Sequence, residues 1–204
     1  MDEQGFIKAA QKGDTAAFNQ LVRAYQVLVY RTAYRVLGDA AGAEDATQDA
    51  FISAFKHVKS YRGGSFKAWL MRIVTNACYD QLRVKQRRPT ASLDALLLDP
   101  DEPAPGLDHA APDSPQDAAE RQELSTAIQK GLATLPPDQK ITLVLVDIEG
   151  FSYEQVAEST GTNVGTVKSR LSRAREHLRD FLVAQEELVP ARYRLKSGQA
   201  LQNG

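Results

Sequence analysis

Apolar residues recur at helical spacing along most of the chain. Phe18, Leu21, Val22, Tyr25, Leu28 and Val29 follow a 3.6-residue period, and Ala33, Val36 and Leu37 continue it until Gly38, where one long amphipathic helix is expected to end. After a turn between Gly38 and Gly42, Ala46, Ala50, Phe51, Ala54, Phe55 and Val58 mark the buried side of a second helix. Its other side carries Glu44, Asp45, Gln48 and Asp49. Arg62-Gly63-Gly64-Ser65 reads as a loop, with Ser65 as N-cap of a third helix that holds Phe66, Trp69, Leu70, Ile73, Val74, Ala77 and Leu82. Between Pro89 and Gln116 the period gives way to prolines and acidic residues, relieved only by Leu96-Leu97-Leu98. It resumes with Leu124, Ile128 and Leu132 and, past Pro136-Pro137, with Ile141, Val144, Leu145 and Ile148. No strand-like alternation is long enough to count and no long repeat is visible. The expected fold class is all-α, with two small helical domains joined by a flexible, acidic, Pro-rich linker. The boundaries fall at 1–89, 90–117 and 118–184, and a polar tail over 185–204 is expected to be disordered.

The stretch from Phe151 to Arg175 predicts two short helices around a glycine turn. Ser152 and Gln155 have the spacing of a capping box, and Phe151 with Val156 can staple the start of the first helix. Gly161 supplies the turn, since glycine reaches the left-handed region without steric cost. In the second helix Val167, Leu171, Ala174 and Leu178 share a narrow sector that must face a core. Ser169, Ser172, Arg173 and Glu176 then lie opposite, flanked by Thr166 and Lys168. Small hydroxyls beside long cations let a helix sit deep in a major groove while reaching base edges and phosphates, so the segment reads as a helix-turn-helix that binds duplex DNA.

A formal charge of −1 over 204 residues is unusual for a chain that binds DNA unaided, because phosphate neutralisation supplies most non-specific affinity. The sum conceals an asymmetry. Arg62, Lys67, Arg72, Arg83, Lys85, Arg87 and Arg88 face only Asp80 in the third helix, whereas Asp94, Asp99, Asp101, Glu102, Asp108, Asp113, Asp117 and Glu120 crowd the segment after it. The chain has no apolar run of membrane-spanning length and no signal-peptide pattern, so a cytoplasmic protein without membrane insertion is expected. Enzyme chemistry finds no support. His57, His109 and His177 are scattered, the single Cys78 sits among Ile73, Val74 and Ala77, and neither a zinc-ligand spacing nor a phosphate-binding glycine loop is present. No cofactor is expected.

Three segments resemble the extracytoplasmic-function group of the bacterial sigma-70 family, the promoter-specificity subunits of RNA polymerase. They are Ala43 to Phe51 in the second helix, Tyr61 to Asn76 through the loop and third helix, and Leu135-Pro136-Pro137 together with Val164 to Arg175. The resemblance spans about residues 14 to 184. It implies that Asp45, Gln48 and Asp49 dock on the clamp helices of the polymerase largest subunit, with the flap as a further contact. It also implies that Arg62, Ser65, Phe66, Lys67, Arg72 and Asn76 melt the promoter and hold an extruded base of the −10 element, a step that needs cations and a stacking surface. Phe66 and Trp69 share the core period, and Trp69 is expected to be mainly core. Thr166, Lys168, Ser169, Ser172 and Arg173 would read the −35 element. An anti-sigma factor is an implied partner beside promoter DNA and core polymerase. The two promoter elements lie about 80 to 90 Å apart, a span that a connector of this length reaches only when stretched, so the free chain is expected to be compact. The competing reading is an autonomous helix-turn-helix regulator that binds duplex DNA as a homodimer.

Overall fold

The structure, a computed structural model, describes residues 2–87 and 114–194. Within them lie eight α-helices and no strand: α1 (Glu3–Gln11), α2 (Thr15–Leu37), α3 (Ala40–His57), α4 (Phe66–Arg87), α5 (Pro115–Ala133), α6 (Pro137–Leu143), α7 (Tyr153–Thr160) and α8 (Val164–Ala184). The all-α expectation holds. The acidic connector residues from Asp94 to Asp113, with Leu96-Leu97-Leu98, and the tail beyond residue 194 lie outside the described residues.

Short caps and turns set the first three long helices side by side. Asp14 accepts the Ala17 amide (3.0 Å) to start α2, Gly38 ends it in the left-handed region at φ 82°, and Asp39 accepts the Gly42 amide (2.7 Å) to start α3. Ala43, Ala46, Ala50 and Ala54 form the buried stripe of α3 and let α2 and α4 approach closely. Phe55, expected on that stripe, is instead 42% exposed. It lies about 140° from Ala50 on the wheel, at 100° per residue, and its ring reaches only the edge of Phe18 (centroids 5.0 Å apart). The helix α1 falls before the first periodicity read from the sequence. It buries Ile7 and Ala10 against α2, and its last residue, Gln11, donates to the carbonyls of Val58 (3.3 Å) and Tyr61 (2.8 Å) just ahead of the loop.

The second half begins earlier than the apolar period indicates. Ser114 caps α5 by accepting the Asp117 amide (3.1 Å), and Pro115 fits the first turn, where its missing N–H costs nothing. Further along, Gly131 gives α8 room, since a Cβ there would lie 2.3 Å from Leu178 Cδ1. From α6 the chain widens into a π-type turn over Val144–Ile148 before α7 and α8. After α8 the chain makes two short turns, Glu186–Leu188 and Ala191–Tyr193. Val189 is buried, and Arg192 bridges Asp117 (2.5 Å) and Glu120 (2.6 Å) at the start of α5. Its guanidinium holds the Asp117 carboxyl below the usual range.

The halves close on each other, and their buried residues run together into one cluster. Every residue from Thr32 to Leu37 is buried, because α3 and α4 cover one side of α2 while α5 and the 144–148 turn cover the other. Polar groups line this contact. Arg35 is fully buried and donates to Ser125 Oγ (3.1 Å) and Gln129 Oε1 (3.4 Å), while Gln129 donates back to the Arg35 carbonyl (3.2 Å). Burial lowers the Arg35 pKa, and the nearby Glu149 carboxylate opposes that shift. Arg31 pairs with Glu149 in a two-point contact, Ser159 Oγ donates to the Ala68 carbonyl (3.1 Å), and Thr75 Oγ1 donates to the Ser159 carbonyl (3.4 Å).

Candidate nucleic-acid interface

The helix-turn-helix is assembled by the local rules that its sequence contains. Ser152 accepts the Gln155 amide (3.2 Å), and the Gln155 side chain accepts the Ser152 amide (3.0 Å), closing the capping box. Gly161 turns the chain at φ 64°, and Asn163 caps α8 by accepting the Thr166 amide (2.8 Å). Val167, Leu171 and Ala174 are buried, which leaves Lys168, Ser169, Ser172 and Arg173 exposed on one face with Thr166 half-buried at its edge. Other cations of the helix are committed elsewhere. Arg175 grips Asp147 through two nitrogens (2.8 and 2.6 Å), a bond that raises its pKa, and Arg170 pairs with Asp138 (2.5 Å). Among the described residues Arg173 forms no ion pair, so its guanidinium is available to a base edge.

A second basic surface surrounds the loop before α4. Arg62, Gly63 and Gly64 are exposed, and both glycines have positive φ (103° and 91°), so the loop turns where side chains would strain it. An aromatic cluster supports it from below. Tyr61 donates to the Gly64 carbonyl (2.8 Å) and packs on Phe66 and Trp69 at centroid distances of 5.6 and 5.5 Å, and Phe66 also meets Tyr25 at 5.6 Å. Phe66 is only 2% exposed, which corrects its expected role as a stacking surface. Its ring is enclosed by three aromatic neighbours and cannot offer a face to a base without leaving them. Ser65 caps α4 through the Ala68 amide (3.1 Å), while Arg72 and Asn76 are exposed one helical turn apart. Lys67 reaches across to the second half, its Nζ 4.1 Å from the centre of the Phe151 ring.

The third surface is acidic. Asp45, Gln48 and Asp49 are all exposed on α3, whose main packing partners are α2 and α4. Sequence reasoning missed Ile52, 46% exposed, and Phe55, which extend this face with apolar surface. The signal was present, because Ile52 follows Asp45, Gln48 and Asp49 at i+7, i+4 and i+3. Between α3 and α4 a groove of about 620 Å³ is lined by Asp45, Asp49, Ile73, Asn76, Asp80 and Val84. The structure therefore sets Asn76 beside the acidic helix, while the loop cations and the α8 face lie on other elements. No group of potential metal ligands occurs among the described residues, and no described helix is long and apolar enough to cross a membrane.

The chain matches two family models, Sigma-70 region 2 over residues 21–88 and Sigma-70, region 4 over residues 125–178. It is 40% identical over 173 residues to the ECF RNA polymerase sigma factor SigE of Mycolicibacterium smegmatis, covering 83% of this chain and 64% of that protein. It is 36% identical to the ECF sigma factor SigW of Bacillus subtilis (86% of this chain, 94% of that protein) and 34% identical to the ECF sigma-E factor of Escherichia coli K12 (86% and 92%). Among solved structures it resembles the sigma factor RpoE of Bartonella quintana, determined with the anti-sigma factor NepR, at a TM-score of 0.60 and 30% identity over 81% of this chain and 96% of that one. CnrH, determined with the cytosolic domain of CnrY, shares the fold at a TM-score of 0.64 and 23% identity, covering 90% of this chain and 98% of that one. With both modules present in order and full-length relatives above 30% identity, the chain belongs to the extracytoplasmic-function sigma factors of the sigma-70 family.

Proposed function

We propose that this sigma factor recruits core RNA polymerase through α3, reads the −35 element with α8, and assists melting at the −10 element with the loop before α4. The observation that carries the reading is the separation of three chemically distinct exposed surfaces. Asp45, Gln48 and Asp49 with Ile52 present acid and apolar area together, a mixture suited to a protein surface rather than to a phosphate backbone. Lys168, Ser169, Ser172 and Arg173 offer hydrogen-bonding groups to a groove, with Thr166 at the margin. Arg62, Lys67 and Arg72 supply cations at the exposed glycine turn and along the α4 that follows it, Asn76 adds an amide further along α4, and Ser65 and Phe66 hold the turn in shape.

Family membership sets aside the autonomous homodimeric regulator. The partners of this reading are core polymerase, through its clamp helices and flap, and promoter DNA, with action in the cytoplasm. An anti-sigma factor is a further partner, supported by the RpoE relative recorded with one. Addition of the purified chain to core polymerase tests the proposal. Promoter-specific transcripts that depend on the chain are expected, and transcripts that survive replacement of Lys168, Ser169, Ser172 and Arg173 by alanine would refute the assignment of the reading face.

A further inference from the structure

The glycine turn over 62–64 depends for its shape on what grips the residues beside it. A Cβ added at Gly63 or Gly64 would meet no atom of the described residues within 4 Å, so no element packs on the turn where side chains would stand. Both glycines have positive φ, and glycine gives up more conformational freedom than any other residue when it is fixed. On one side Ser65 caps α4, and Tyr61 donates to the Gly64 carbonyl (2.8 Å), closing the turn on itself. On the other side the grip comes from a distant element. Gln11, the last residue of α1, donates its side-chain amide to the Tyr61 carbonyl (2.8 Å) across 50 residues of sequence and to the Val58 carbonyl (3.3 Å) across 47. The Val58 carbonyl also accepts the Tyr61 amide (3.2 Å), so without Gln11 it would still have a donor. The Tyr61 carbonyl belongs to the peptide that leads into Arg62, and the Gln11 amide sets the direction of that peptide. At its other end α1 braces the aromatic support, since Glu3 accepts the hydroxyl of Tyr25, whose ring meets Phe66 at 5.6 Å. Ile7 and Ala10, buried between the two ends, hold α1 in place.

We propose that Gln11 is a positioning residue for promoter melting: its amide fixes the peptide between Tyr61 and Arg62 and so presents Arg62 and the glycine turn in the shape that receives an extruded base. Gln11 is half-buried and directed at the two carbonyls, so it acts through the loop and not on a base. A turn shaped in advance loses little further entropy when it closes on its target. The inference rests on the reading of this loop as the melting element.

Two substitutions in the full chain, assembled with core polymerase, test it. Gln11→Met keeps the length of the side chain and removes its donors. Holoenzyme with this variant is expected to form open complexes about five- to tenfold more slowly, read as permanganate reactivity of promoter thymines against time, because one hydrogen bond's worth of loop order is lost. Core affinity and the melting temperature of the chain should stay near those of the parent, which a general loosening of the first half would not allow. Gln11→Glu supplies a signature particular to the bond. Its carboxylate has no proton for the Tyr61 carbonyl, and facing two carbonyls raises its pKa. The variant should therefore melt promoters slowly at neutral pH, and its rate relative to the parent should climb as the pH falls toward that raised value and the protonated acid begins to donate. Unchanged melting by Gln11→Met overturns the positioning role. If Gln11→Met loses core binding and thermal stability as well, the pH response of Gln11→Glu decides, and a relative rate that does not climb in acid overturns the role. Arg62→Ala with Lys67→Ala, run alongside, checks the loop itself: normal melting by that pair refutes the melting role of the loop, whereas slow melting there with normal melting by Gln11→Met refutes only the brace.

Discussion

Glu149, whose side chain is wholly enclosed, receives both the Nε and a terminal nitrogen of Arg31, a residue 118 positions earlier in the chain. The carboxylate sits just after the π-type turn of the second half and the guanidinium on α2 of the first, so one ion pair spans the closure. Arg31 keeps 24% side-chain exposure, and water still screens its end of the pair. Breaking a wholly buried pair costs about 3 to 5 kcal/mol, and this half-open one should cost less. Glu149→Gln is expected to shift the free chain toward separated halves, read as a fall in energy transfer between dyes on α3 and α8. Unchanged transfer would show that the pair does not hold the closure.

The two arginines flanking Ala174 should behave differently. Arg173→Ala is expected to cost about 1 to 3 kcal/mol in promoter recognition by the holoenzyme and to relax selectivity at one position. Arg175 is spent on Asp147, so Arg175→Ala should lower the thermal stability of the second half, by roughly 0.2 to 1 kcal/mol, with little change in selectivity. A panel of promoters with single −35 substitutions, run beside a melting curve, separates the two. Equal and sequence-independent losses would contradict this division.

Phe66 offers a test of support against stacking. Phe66→Ala should cost about 3 to 5 kcal/mol and unfold much of the first half, which makes it uninformative about DNA. Phe66→Leu keeps most of the volume and should preserve permanganate reactivity at the promoter, whereas Arg62→Ala with Lys67→Ala should reduce it while leaving core binding intact. If Phe66→Leu folds normally and fails to melt, the ring contacts the base after all.

Alkaline pH should loosen the closure through Tyr79. Burial and donation to Asp138 across the interface raise its hydroxyl pKa above the ordinary value near 10. The stabilisation is complete below about pH 10 and is lost as pH rises through the raised value, because the opened chain gives up the proton first. Inter-half energy transfer should therefore fall above that pH, and Tyr79→Phe should weaken the dependence. A profile identical in the variant would assign the effect to other groups.

Most of the helix-turn-helix was legible in the sequence. The capping box at Ser152, the turn at Gly161 and the outward face of α8 follow from rules that act within a few residues, and tertiary packing had only to agree with them. What stayed hidden depends on contacts between distant segments. Nothing local announces that Arg35 is enclosed by α5, that Arg175 is committed to Asp147, or that Arg192 ties the chain end to α5. The misplacements of Phe55 and Phe66 have different causes, since the angle of Phe55 to Ala50 already sets it off the stripe. The alanine stripe of α3 was visible in the period, but a helical wheel fixes a residue's direction and not what stands there, so it offered no way to see that three rings surround Phe66.

The peptide between α4 and α5 gives the closure a different character from that of two proteins meeting in solution. Tethered partners experience effective concentrations on the order of millimolar, so contacts too weak to assemble free fragments suffice to keep linked ones together. Proteolysis between residues 88 and 113 would abolish that advantage at a stroke. The cleaved pieces should drift apart at micromolar concentration while each keeps its own exposed surface. Continuity of the backbone, more than the strength of any one contact, is then what makes shutting the molecule inexpensive and opening it reversible.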